Sequence, residues 1–294
     1  MKATKNVQHS IEAFGIMKVS MSGIRVERIQ DRVVPAVPFP HKHDFYQLML
    51  VTHGTGTHQI DFTKHKITNH QLFIIKPGQV HSWKLSKGIK GYIIEFTRES
   101  LQIELFGETD IFNQLQFLPD RLLIKNISFQ KTFLTMVEIM FNEFQNKSDY
   151  HDVCLRNYLS GILVQLIREC STYKIVHKKT VSSLEYFRQL VETHFRDQHR
   201  VEFYAKKLNT SPRALSMQVS RAYGKAPRML IQERFILEAK RYLAFSGLSI
   251  SEIGYELGFQ DANYFSRFFR LHEKISPGVF RERLKIKEGT ASGD

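Results

Sequence analysis

The feature that most narrows what this chain can fold into is an internal repeat in its last third. The stretch "SPRALSMQVSRAYGKAP" (211–227) aligns with "DANYFSRFFRLHEKISP" (261–277) at an offset of 50, so that Leu215 falls on Phe265, Val219 on Phe269, Arg221 on Leu271 and Pro227 on Pro277. Just upstream, "YAKKLNT" matches "IGYELGFQ" at an offset of 49, which leaves the second copy one residue longer in its turn. Between the copies runs "RMLIQERFILEAKRYLAF", whose spacing predicts a single helix of about eighteen residues.

Side-chain direction follows from the helical step of about 100° per residue. With Phe265 at the centre of the buried face, Phe268, Phe269 and His272 stay on its side, while Asn263, Arg267 and Arg270 fall nearly opposite. In the first copy, Leu215, Val219 and Ala222 turn inward and Arg213, Met217 and Ser220 outward. Ser211 and Asp261 stand where N-caps belong. Each copy therefore reads as a helix-turn-helix unit, whose second helix is the one that enters a major groove. One such helix alone is better explained as a solvated amphipathic surface helix. Two of them, held apart by a helix of roughly 27 Å, suit the ~34 Å turn of B-DNA. A merely solvated face needs no such spacing.

Residues 182–285 resemble the DNA-binding domain of the AraC/XylS family, and "ISEIGYELGFQDANYFSRFFRLHEKISPGVFR" (250–281) is similar to that family's signature. Ile253, Gly258-Phe259, Tyr264-Phe265, Phe269, Pro277 and Arg281 stand at the expected positions. Two residues depart from it: Gly254 replaces an alanine, and Lys274 replaces the glycine that closes the reading helix. The resemblance implies base-edge roles for Arg213, Ser216 and Met217 in the first unit, and for Ala262, Asn263, Ser266 and Arg267 in the second. A guanidinium can pair with guanine through two hydrogen bonds, which favours Arg267; Met217 and Ala262 offer only apolar contact. Ser220, Arg221, Arg270 and the amide of Ser211 are better placed for phosphates. Arg281 reads either as a DNA contact or as a tie from the last helix to the second unit.

The front of the chain has a different period. "YQLMLVT", "GTHQIDF", "QLFIIKP" and "KGYIIEFT" are short, rich in β-branched and aromatic residues, and separated by turn formers, as in a barrel or sandwich. Within them, His41-x-His43, Gln47 and Gly54 have the spacing of a first cupin motif, and Gly78-x-x-His81 resembles the second. Metal-binding cupins place a carboxylate where this chain has Gln47, so the set lacks the anionic oxygen such an ion needs. Seven of the thirteen histidines lie between positions 41 and 81; His53, His58, His65 and His70 fall at strand ends or turns and read as surface residues. Alternation sends His43, Phe45, Gln47 and Met49 to one face. Met49 and Trp83 would then line an apolar pocket with His41, His43, Gln47 and His81 as its polar groups; a filled barrel holding nothing is the other reading.

The expected architecture is thus two-domain α+β. Residues 1–170 form a cupin-like sensing domain ending in helices 128–146 and 149–170, a polar and basic linker covers 171–180, and residues 181–294 form the all-α DNA-binding domain. Leu155, Leu159, Ile162 and Leu166 make either a dimer seam or an internal packing face. The net charge of +13 is shared, +6 on residues 181–294 and +7 on 1–180, so it does not by itself locate a polyanion site. Two cysteines without CxxC spacing and no long apolar run point to a reducing cytoplasm and no membrane span. The expectation is a transcription regulator, an activator by resemblance, with duplex DNA, a small-molecule effector, a second copy of itself and RNA polymerase as partners, and no cofactor. A cupin enzyme with a helical appendage and a DNA-binding scaffold with an inert barrel are the alternatives.

Overall fold

The computed structural model describes residues 8–9, 23–32, 40–101, 114–116, 118–172 and 181–290. The chain divides into two compact units, Asn6–Val176 and His177–Asp294. The expected linker, 171–180, lies outside the described residues from 173 onward.

The first unit holds β1 (Gln8–His9), β2 (Ile24–Arg28), β3 (His41–His43), β4 (Tyr46–His53), β5 (Gly56–Ile60), β6 (Thr63–Ile67), β7 (Gln71–Ile75), β8 (Val80–Leu85), β9 (Lys90–Phe96) and β10 (Arg121–Leu123). They form two five-stranded sheets, ordered β1-β3-β8-β5-β6 and β10-β7-β4-β9-β2. Strand alternation sorts the second sheet into two faces. Leu48, Leu50, Leu72, Ile74 and Ile94 face the helices α1 (Ile127–Asn146) and α2 (His151–Thr172). Met49, Val51, Phe73, Ile75 and Ile93 face the other sheet, where they meet Ile60, Ile67 and Trp83. Because both faces are covered, Tyr46–Val51 of β4 and all of β7 are buried on consecutive residues and lose the simple alternation of a half-exposed strand.

Helices α1 and α2 lie on the back of that sheet. Leu155, Leu159, Ile162 and Leu166 have no exposed surface and pack with Phe133, Val137 and Met140 of α1. They are core residues, so they make no dimer seam. The face of α2 that remains outside carries Val153, Asn157, Val164 and Arg168. Among the described residues, no helix is long and apolar enough to cross a membrane.

The second unit is helical: α3 (Val181–His194), α4 (Val201–Lys207), α5 (Pro212–Tyr223), α6 (Pro227–Phe245), α7 (Ile250–Glu256), α8 (Ala262–Glu273) and α9 (Pro277–Thr290). The repeat is realised as α4–α5 and α7–α8, joined by α6, around one core that includes Leu215, Val219, Phe235, Ile253, Phe265 and Phe269. The 49-residue offset of the turns is visible in the backbone. Asn209 and Gly258 both have positive φ, 49° and 86°, and each is followed by an amide that closes the turn, Thr210 N to Ala205 O at 3.0 Å and Phe259 N to Gly254 O at 2.9 Å. Ser211 accepts from the Ala214 amide and Asp261 from the Asn263 amide, so both reading helices are capped by side chains. They end alike as well, on Gly224 (φ 66°) and Lys274 (φ 63°), each in the left-handed region. Ala222, placed inward by the helical step, is exposed, because the last turn of α5 runs past the edge of the core.

Candidate nucleic-acid interface and barrel lumen

On α5, Leu215 and Val219 are buried; Arg213, Met217, Ser220 and Arg221 are exposed and Ser216 half-buried. On α8, Phe265 and Phe269 are buried; Asn263, Arg267 and Arg270 are exposed, while Ala262 and Ser266 are half-buried. The same outer surface presents Tyr264 and Leu271, 56% and 67% exposed, which the helical step alone did not single out. Large apolar groups left in water on an otherwise polar helix mark a contact face when they are contiguous with it.

The engagement of the arginines separates two classes. The side chains of Arg213, Arg221, Arg267 and Arg270 make no hydrogen bond or ion pair with any described residue. Arg234, by contrast, bonds Glu192 at 2.6 Å and Glu238 at 3.0 Å, and Arg241 bonds Glu238 at 3.0 Å. Arg281 donates from Nε to Leu243 O at 3.1 Å and from Nη2 to Leu248 O at 2.7 Å. It therefore ties α9 to the end of α6, the structural one of its two readings, and burial lowers its pKa. The arginines on the reading helices are left available, as are Arg200, Arg228 and Arg283 elsewhere in the unit.

In the barrel, His41, His43, Phe45, Gln47, Met49, His81 and Trp83 are all buried. The structure gathers the histidines: ring centroids lie 4.6 Å apart for His41 and His81 and 5.0 Å for His43 and His81. His43 stacks on Phe45 at 4.0 Å, and its Nδ1 donates to Phe45 O at 2.8 Å. Its Nε2 lies 3.3 Å from Gln47 Oε1. With Nδ1 donating, Nε2 can bond Gln47 Oε1 only if it also carries a proton; a ring protonated at Nδ1 alone would need the amide to present its NH2. Gln47 Nε2 is buried without a partner among the described residues. Met49 and Trp83 belong to the same apolar cluster beneath.

Sequence reasoning missed two parts of this lumen. His58, read as a surface residue, is fully buried, because β5 alternation turns it inward opposite Trp83. Its Nε2 lies 3.2 Å from His81 Nδ1 and its own Nδ1 has no partner. Burial, then the neighbouring His65, lowers its pKa to about 3, so it is neutral at any physiological pH. His65 is half-buried against Phe73, whereas His53 and His70 are exposed, as expected. The second part is ionic. Glu95 on β9 is the direct cross-strand neighbour of both Gln47 and Arg25, and is buried. Since Ile24 and Val26 pack toward the helices, Arg25 and its ion-pair partner Glu27 lie on the opposite, lumenal face. The alternation of "KGYIIEF" placed Glu95 opposite Ile94 and Phe96, but only the strand register brings it beside Gln47. Among the described residues, no group of three or more His, Cys, Asp or Glu is arranged to hold a metal ion.

A barrel with a polar lumen, followed by two helix-turn-helix units with unengaged arginines, defines a DNA-binding transcription regulator with a ligand-binding domain. Residues 27–155 match the family described as an AraC-like ligand binding domain, and residues 204–283 match a helix-turn-helix domain. Together these cover well over half of the chain, which belongs to the AraC/XylS family of transcription regulators. It is 25% identical over 279 residues to the HTH-type transcriptional activator RhaS of Escherichia coli O81 (strain ED1a), covering 94% of this chain and 97% of that one. The RhaS of Shigella flexneri serotype 5b (strain 8401) is also 25% identical, over 289 residues, with the same shares covered. Among solved structures, ToxT from Vibrio cholerae matches at 15% identity and a TM-score of 0.43, over 88% of this chain and 97% of that one.

Proposed function

We propose that the chain is a cytoplasmic transcription activator that binds a small polar effector in the barrel lumen and reads DNA with α5 and α8 in successive major grooves. Residues 1–170 act as sensor and 181–294 as reader. The observation that carries the reading half is the contrast among arginines. Those on α5 and α8 are unengaged, whereas Arg234, Arg241 and Arg281 are taken up by internal partners. In this reading Arg213, Ser216, Met217, Ala262, Asn263, Ser266 and Arg267 face base edges, and Ser220, Arg221 and Arg270 hold phosphates.

The sensing half rests on the lumen. A buried polar atom without a partner costs about 1–3 kcal/mol, and here one end of Gln47 and Nδ1 of His58 lie among His41, His43 and His81 above Met49 and Trp83. A ligand carrying both donors and acceptors would satisfy them. Binding that favours one conformation over another then alters DNA affinity by mass action. The relatives' names support activation, and hence contact with RNA polymerase. A homodimer would use the outer stripe of α2, where Val153, Asn157 and Val164 follow one another at the 4-and-7 spacing of a helix–helix seam.

The test is a thermal-shift screen of the full chain against polar metabolites. A ligand that binds only the native state must raise the melting temperature. The reading expects a compound that does so in the native protein, fails to do so in Gln47→Leu, and changes affinity for DNA. A hit that stabilises both proteins equally would place the ligand elsewhere.

A further inference from the structure

The turn between α3 and α4, residues 195–200, touches both the joining helix and the second unit. Arg196 donates from Nη2 to Glu238 on α6 at 3.3 Å, and Glu238, itself buried, is also held by Arg234 and Arg241. The Arg234 guanidinium lies 4.1 Å over the Phe195 ring and bonds Glu192 on α3, so the turn is fixed to α6 from both sides. His199 Nε2 donates to Arg196 O at 3.1 Å and its ring sits 5.4 Å from Phe235 and 6.2 Å from Phe259. Tyr204, the first residue of the repeat, donates to Gln198 O at 2.7 Å. One short turn thus meets unit one at Tyr204, the joining helix at Phe235 and Glu238, and unit two at Phe259.

The contact with unit two is close enough to dictate a residue. A Cβ at Gly258 would lie 2.7 Å from Arg196 O, against backbone that cannot swing aside. Its counterpart Asn209 occupies the same left-handed position with a side chain, because it faces solvent. The left-handed turn alone therefore does not require glycine in this fold. The approach of the Arg196 carbonyl does.

We propose that Arg196, through Glu238 and through its carbonyl on Gly258, is a positioning residue that fixes the second reading helix relative to the first, and so sets the spacing of DNA the protein accepts without touching DNA. Arg281 pins unit two to the end of α6. Lys240 of α6 also bonds Glu273 of α8 at 2.6 Å and Phe235 packs against Phe268, and the Arg196 clasp adds the tie on the α3–α4 side of unit two. A two-groove site then binds as a rigid pair. A protein lacking the clasp would engage one half-site and pay in ordering for the other, or follow it over a range of spacings.

The inference rests on the two-groove reading above, and the experiment separates them. Duplexes selected from a random pool by the full-length protein serve as the probe, each compared with a version carrying one base pair inserted between its two halves and with random duplex. The insertion moves the second half by about 3.4 Å and turns it by about 35°. The native protein is expected to lose about tenfold or more on insertion. In Arg196→Gln and in Gly258→Ala that penalty should shrink to within about threefold, with affinity for random duplex unchanged within about twofold, while Arg196→Lys, which keeps a charge opposite Glu238, should retain most of it. Arg196 is half-exposed, its side chain at 47%, so its replacement leaves the core intact should Gly258→Ala fail to fold. A full native penalty in Arg196→Gln would overturn the clasp alone. A native protein indifferent to the insertion would overturn the two-groove reading and the clasp with it.

Discussion

Arg267 and Arg270 stand three residues apart on one helix, both exposed and unengaged, yet they should behave differently. Arg267→Ala should relax base preference at one operator position by ~1–3 kcal/mol, whereas Arg270→Ala should weaken all duplexes alike and lower the salt dependence. Competition with single-base-substituted duplexes checks this, and equal loss on specific and random DNA would remove Arg267 from the base-reading set. Lys274 is a different kind of residue. It closes α8 at φ 63°, where its counterpart is Gly224, and its Nζ bonds only an exposed carbonyl, Leu271 O. Lys274→Gly should stabilise the reading unit by ~0.5–1 kcal/mol, measured as a shift of its denaturant midpoint. Of the two departures from the family signature, Lys274 has no structural explanation and Gly254 has a local one. At Gly254, a Cβ would stand 3.3 Å from Phe265 Cβ, so glycine there seats the aromatic closely against α7 rather than simply loosening the helix.

Among the elements, the reading helices were legible because their signals are local. Helical period, caps at Ser211 and Asp261 and closing turns are all written within a dozen residues. The barrel was legible only in part. β4, β5, β7 and β9 lie within segments rich in strand formers, but β3, β6 and β8 are interrupted by Lys and His. His58 illustrates why: its neighbours in sequence are polar, and only the pairing of β5 with β8 puts it against Trp83. Likewise, helical spacing showed that Leu155 and Leu159 share a face but not what covers it; α1 and the sheet do. His58 also makes β5 sensitive to acid. The unfolded chain titrates this group near 6.5, the folded barrel only at about 3. Below pH 6.5 the unfolded state takes up a proton that the folded state refuses, so stability present above that pH is lost toward pH 3, at ~1.4 kcal/mol per unit. His58→Gln should flatten the melting temperature of the barrel between pH 6 and 4. An unchanged slope would assign the acid sensitivity to other groups.

Taken whole, the molecule joins a lumen with unmatched polar atoms to a pair of readers on a common strut. The strut, α6, is 19 residues, about 28 Å long, and is held in its C-terminal half by Arg196 at Glu238 and by Arg281 at Leu243. Arg281→Ala should orphan two carbonyls and cost ~2–3 kcal/mol of reader stability, seen in thermal unfolding, because the lost bonds are charge-assisted. The central claim is that α5 and α8 enter consecutive grooves on one side of a duplex. Hydroxyl-radical footprinting of the full-length protein on the DNA flanking its own gene tests that most directly. Two protected windows per subunit, centred about ten base pairs apart on the same face of the helix, are the predicted result. A single window, or two on opposite faces, would contradict it.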